Sequence, residues 1–167
     1  MKKTSLLIEE PQDVLNILEL IKKEDYHHKE RETRFVQSEQ WAMDLLKDRF
    51  DLARKDVFKG EGQKIPWGIW FLRTGAIILS LIEEWTKFDE LVFANFLLGK
   101  HFRYRADPLL RWEELGILIR MDSKLARLIN ITEDTSLEVG DEPLEKTAED
   151  ILGYCVLGYL LNKELKK

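Results

Sequence analysis

Two acids in apolar surroundings are the residues of this chain best placed to do chemistry. Asp150 stands at the edge of an eleven-residue run, 151–161, that contains no charge. Asp122 lies on the stripe Leu118, Leu125 and Ile129, at helical spacing. A carboxylate facing a core is costly unless a metal, a cation or hydrogen-bond donors compensate it. Glu84 continues the stripe of Ile77, Leu81 and Phe88 and is expected to face inward with them. Glu142, Glu145 and Glu149 share a face of the last helical segment, and the spacing Glu142-x-x-Glu145 lets two carboxylates chelate one hard cation. Magnesium needs only one or two carboxylates beside waters and substrate phosphates. The expected metal set is therefore Glu84, Asp122, Glu142 and Asp150, with Glu142 and Asp150 as the catalytic acids.

Cations accompany these acids. Arg120, Lys124 and Arg127 fall at i, i+4 and i+7, on one face of a helix whose apolar side carries Asp122. They could hold phosphates while the acids hold a metal. The alternative is a solvated basic face and an acid paired inside the core. The stretch 99–108, GKHFRYRADP, reads as a loop that interleaves cations with aromatics. Lys100, Arg103 and Arg105 could meet phosphates there, and Phe102 or Tyr104 could stack on a base. Arg73, in the most apolar segment, is expected to be the buried cation and to pair with an acid. His27, His28 and His101 lack zinc-site spacing and read as structural or surface residues. The chain has no phosphate-loop pattern, GxSxG, HExxH or dinucleotide-binding glycine fingerprint.

The elements that must position these groups are helical. Apolar residues recur at helical spacing over 11–26, 31–58, 67–86, 88–98, 109–131 and 142–163, and no strand pattern appears. Pro11 and Pro143 suit first turns. Gly60, Gly62 and Pro66 break the chain between the second and third helices. The segment 67–86 is apolar on most sides and should be central. The expectation is an all-α fold, one domain over 1–167, built as an antiparallel bundle of about six helices.

Composition narrows the function classes. With 167 residues, 44% of them hydrophobic, the chain can bury a substantial core. A net charge of -5 argues against a general nucleic-acid binder, because no global basic field draws in phosphate backbones. The single cysteine, Cys155, excludes an internal disulfide and a cysteine-rich zinc site, and it reads as a core residue. The first ten residues do not read as a signal peptide. The apolar run 67–82 is interrupted by Arg73 and falls short of the roughly 20 residues a membrane span needs. A cytoplasmic protein without a membrane partner is expected.

The two C-terminal stretches, LGILIRMDSKLARL at 115–128 and EPLEKTAEDILGY at 142–154, resemble the first of the nucleotide-modification-associated domains, a family found largely in phages and their hosts. The resemblance covers less than a third of the chain, within 109–163. Position by position it marks Arg120, Lys124, Arg127, Glu142, Thr147, Asp150 and Tyr154. The family usually reads Ser-Asp-Lys where this chain has Asp122-Ser123-Lys124, a shift of one position, or about 100° around a helix. The resemblance implies a nucleotide-linked role, with a nucleotide or other phosphorylated small molecule as partner and Tyr154 among the substrate contacts. More distantly, the paired acids are similar to those of the all-α MazG-like nucleoside triphosphate pyrophosphohydrolases, which hold magnesium on an E-x-x-E helix and a later E-x-x-D helix. Glu142-x-x-Glu145 matches the first element and nothing here matches the second. The competing expectation is a helical interaction protein without chemistry, a homo-oligomer or viral accessory factor, for which the length of the second helix and five Trp speak.

Overall fold

The computed structural model describes residues 7–31, 39–105, 112–133 and 144–166, with side chains described at 7–24, 39–101, 112–133 and 144–166. It is an all-α bundle. Its helices are α1 (Pro11–Arg31), α2 (Glu39–Phe58), α3 (Trp67–Trp85), α4 (Glu90–Arg105), α5 (Glu114–Glu133) and α6 (Leu144–Leu165), with a 3₁₀ turn at Gly62–Lys64. No strand occurs among the described residues, and no described helix is long and apolar enough to cross a membrane.

Local signals in the sequence set several helix ends. Pro11 opens α1, and Asp13 Oδ2 accepts the Glu9 and Glu10 amides at 2.9 and 3.1 Å, satisfying donors that the first turn leaves open. Asp89 caps α4 by accepting the Val92 amide at 3.0 Å. Gly60, at φ 75°, closes α2 with the paired bonds Gly60 N to Val57 O and Glu61 N to Asp56 O, a Schellman ending that needs a left-handed residue.

The apolar helix α3 is central, as its sequence requires: it packs most extensively on α6 and also contacts α1 and α2. Close approach of α3 to α6 depends on one glycine and of α3 to α1 on another. A Cβ on Gly158 would lie 2.5–2.6 Å from the Phe71 ring, and one on Gly75 would lie 2.9 Å from Ile21 Cδ1. Helix α5 covers α6, and α1 bridges α3 and α4. Trp67, Trp70, Phe71 and Phe50 form a cluster of edge-on and stacked rings at the α2–α3 seam. The Trp67 indole donates to Gly62 O at 3.1 Å, tying the 3₁₀ turn to this cluster. Of the five Trp, Trp67 and Trp70 are buried and Trp112 is exposed.

Three expectations need correction. The stretch 99–105 is the end of α4 and not a loop. Phe93, Ala94, Leu97 and His101 are buried at helical spacing and carry the helix through Gly99. His101 is structural: its Nε2 accepts the Leu7 amide at 3.2 Å. Arg31 ends α1 rather than beginning α2, and residues 32–38 lie outside the described residues. Arg73 is 57% exposed and pairs with Glu24 at 3.5 Å, whereas the cation drawn into the core is Arg49.

Candidate functional site

The acid at the head of the uncharged run proves to be the centre of a three-helix charge cluster. Asp150, on α6, is 5% exposed. Its Oδ1 accepts from Lys100 Nζ of α4 at 3.0 Å, and its Oδ2 accepts from Lys124 Nζ of α5 at 3.1 Å. Burial alone would push the Asp150 carboxyl up. The two lysine bonds and the charges behind them outweigh burial and hold it below the usual carboxylate range. Two cations, from two different helices, thus converge on this one buried anion.

Lys100 also faces an aromatic ring. Phe96 and Lys100 stand at i and i+4 on α4 and therefore share a face. Lys100 Nζ lies 4.5 Å from the Phe96 ring centre, and Lys146 Nζ, from the first turn of α6, lies 5.4 Å from it. Beside this ring a cleft of about 250 Å³ opens between α4 and α6, lined by Lys87, Asp89, Val92, Phe93, Phe96, Lys146 and Glu149. Burial, followed by the charge of Asp150, pushes the Glu149 carboxyl up, against the pull of Lys146. An apolar wall with two lysines at its edge suits one charged group attached to a flat apolar one, and the acids Asp89 and Glu149 border it. Pockets for whole drug-sized ligands run to about 300–1,000 Å³, so this cleft would take part of a nucleotide and leave the remainder outside.

The other expected site residues disperse. Asp122 is partly exposed and pairs with Arg54 of α2, which also holds Asp51. The buried face of α5 centres on Ile117, Met121, Leu125 and Leu128, so Asp122 stands at its edge, facing α2. There it lines a second cleft with Lys47, Arg54, Leu125 and Ile129. Glu84 is exposed, because burial on α3 ends at Ile82 and the last turn runs past the packed segment. Glu142 lies outside the described residues, as do the side chains of Arg103 and Arg105. Asp122, Asp150 and Glu84 therefore do not converge, and among the described residues no three His, Cys, Asp or Glu side chains gather as a metal site would need. With both Asp150 oxygens on ammonium groups, this donor set does not fit a shared magnesium. Of the cationic stripe, Lys124 is turned into the α5–α6 seam, Arg127 is half-buried and Arg120 is exposed; Arg120 and Arg127 do not line the α4–α6 cleft. Thr147 and Tyr154 are buried in the core side of α6.

Sequence reasoning missed Phe96 and Lys146. The signal was present in two i, i+4 spacings, Lys146 with Asp150 in α6 and Phe96 with Lys100 in α4, and the second is readable only once α4 is extended past Gly99. No family model matches this chain, and neither does any curated protein or solved structure.

Proposed function

We propose that the protein binds a phosphorylated small molecule of the nucleotide class in the α4–α6 cleft. The observation that carries this reading is Phe96 faced by Lys100 and Lys146 at the cleft wall, with Lys100 held in place by the buried Asp150. The phosphate would meet Lys146 and Lys87, and the flat part of the ligand would lie against Val92 and Phe96. The resemblance of 115–128 and 142–154 to a nucleotide-modification-associated domain points to the same ligand class. Asp150 serves as a positioning residue and not as a base, since both of its oxygens already accept from lysines and its pKa is depressed. The proposal is one of binding and includes no reaction step.

Isothermal titration with nucleoside mono-, di- and triphosphates, with and without magnesium, tests it. Aromatic stacking is worth about 1–3 kcal/mol per base, so Phe96→Ala should weaken binding by about tenfold or more. Lys146→Met should weaken phosphate-bearing ligands and spare the bare nucleoside. The proposal fails if the wild type binds none of the panel, or if the double variant, folded by circular dichroism, binds as well as the wild type.

A further inference from the structure

The α2–α5 cleft, where Asp122 stands, has a volume of about 250 Å³. Helix α2 packs on α3 and the 3₁₀ turn, and α5 packs on α6. Across the cleft, α2 and α5 are joined by the ion pairs Arg54–Asp122 and Lys47–Glu133. Each helix turns one face to it. From α2 come Lys47, Asp51 and Arg54, at i, i+4 and i+7, a wholly charged wall. From α5 come Asp122, Leu125, Ala126 and Ile129, at i, i+3, i+4 and i+7, a wall that is aliphatic beyond its acid. Leu125 is buried, but Ile129 is only half-buried and Ala126 is exposed.

The charged groups keep bonding capacity to spare. Arg54 donates through Nη1 to Asp122 Oδ1 and through Nη2 to Asp51 Oδ1, and Oδ2 of each acid accepts from none of the described residues. Lys47 Nζ has three donors, of which Glu133 takes one. Lys47 and Asp51 stand one turn apart with opposite charge, yet they do not pair with each other: Glu133 holds the one and Arg54 the other. Side chains at this spacing have Cβ atoms about 5–6 Å apart. A molecule that carries an ammonium and a carboxylate on one carbon matches such a divided pair. The two cations and two acids of the lining cancel, which favours a ligand of both signs over a net anion or cation. A volume below the roughly 300–1,000 Å³ of drug-sized pockets calls for a small one. We propose that the α2–α5 cleft binds a free aliphatic amino acid. Its ammonium donates to Oδ2 of Asp51 and Asp122, its carboxylate accepts from Lys47, and its side chain covers Ala126 and Ile129. This site shares no residue with the α4–α6 cleft and does not rest on the nucleotide reading.

Titration of the isotope-labelled protein with leucine, followed by amide chemical shifts, tests the site. Isopentylamine, which lacks the carboxylate, and isocaproate, which lacks the ammonium, are titrated beside it. The expected result is saturable shifts in α2 and α5 with leucine, and affinity lower by about tenfold or more for either analogue, since each loses a charge-assisted bond. Asp51→Asn and Lys47→Met should each weaken leucine by about tenfold, and Lys146→Met should leave it unchanged. The Asp51 side chain is 54% exposed and pairs only within its own helix, so its variant keeps the fold and reports on binding. A wild type that shows no saturable shift with leucine overturns the proposal. So does an analogue that binds as tightly as leucine, leucine binding unchanged in both Asp51→Asn and Lys47→Met, or shifts confined to α4 and α6.

Discussion

Replacing Asp150 by Asn removes the charge that holds α4, α5 and α6 together while keeping the side chain's shape. In the wild type each carboxylate oxygen accepts from one ammonium, at 3.0 and 3.1 Å. In the variant an amide NH₂ would face one lysine, donor against donor, and two ammonium groups would lose their shared counter-charge. Breaking a buried ion pair costs about 3–5 kcal/mol. Lys100 and Lys124 are 24% and 29% exposed, so both can swing their heads toward water, which places the cost near the low end. The expected loss at pH 7 is about 3 kcal/mol, or about 6–12 °C in Tm at this chain length. The pH dependence has a definite sign. The folded pKa of Asp150 is depressed, so its contribution is present above the unfolded value of about 3.9 and is lost as pH falls through the folded value. The gap between wild type and Asp150→Asn should therefore close as the medium is acidified below about pH 4. Urea unfolding followed by circular dichroism at pH 7, 5 and 3 measures it. A variant within about 0.5 kcal/mol of wild type at pH 7, or a gap that does not change with pH, would refute the view of Asp150 as the electrostatic keystone of the three helices.

Other substitutions separate packing from surface charge. Gly158→Ala places a Cβ 2.5–2.6 Å from the Phe71 ring and should cost about 1–3 kcal/mol in urea unfolding, partly restored by Phe71→Leu in the same chain. Asp122→Asn touches only a partly exposed pair with Arg54 and should change stability by no more than about 1 kcal/mol, while leaving nucleotide titrations unaltered. Glu149 has a raised folded pKa, so the stability it contributes is present below its unfolded value and is lost as pH rises through the folded one. Glu149→Gln should accordingly be at least as stable as wild type at pH 7 and lose that advantage in acid, as parallel denaturation curves would show.

The fold was largely legible because helical periodicity and capping chemistry act locally. Pro11, Asp13, Asp89 and Gly60 mark their helix ends by rules that involve only neighbours, and the apolar segment 67–82 announces a central helix. The site was legible in part. Asp150 stood out because the eleven residues after it are uncharged, and Lys124 because it sits on a cationic stripe. Their union with Lys100 was hidden, since Gly99 and the mixture of cations with aromatics after it read as a loop. Asp122 and Glu84 show where periodicity stops informing: it gives an angle around the helix, but neither the width of the buried face nor the turn at which packing ends. The exchange of Arg73 for Arg49 has a different cause. A long side chain is buried according to where its head can reach acceptors, here Thr74 Oγ1 and Trp70 O, and helix hydrophobicity does not report that.

The most direct measurement of the proposed binding is a crystal structure of the protein grown with a nucleoside diphosphate that titrates. Phosphate oxygens should lie within hydrogen-bond distance of Lys146 Nζ, with the rest of the ligand against Phe96 and Val92 between α4 and α6. A nucleotide seated instead in the α2–α5 cleft beside Arg54 and Asp122, or a fully occupied one that makes no contact with Phe96 or Lys146, would contradict it.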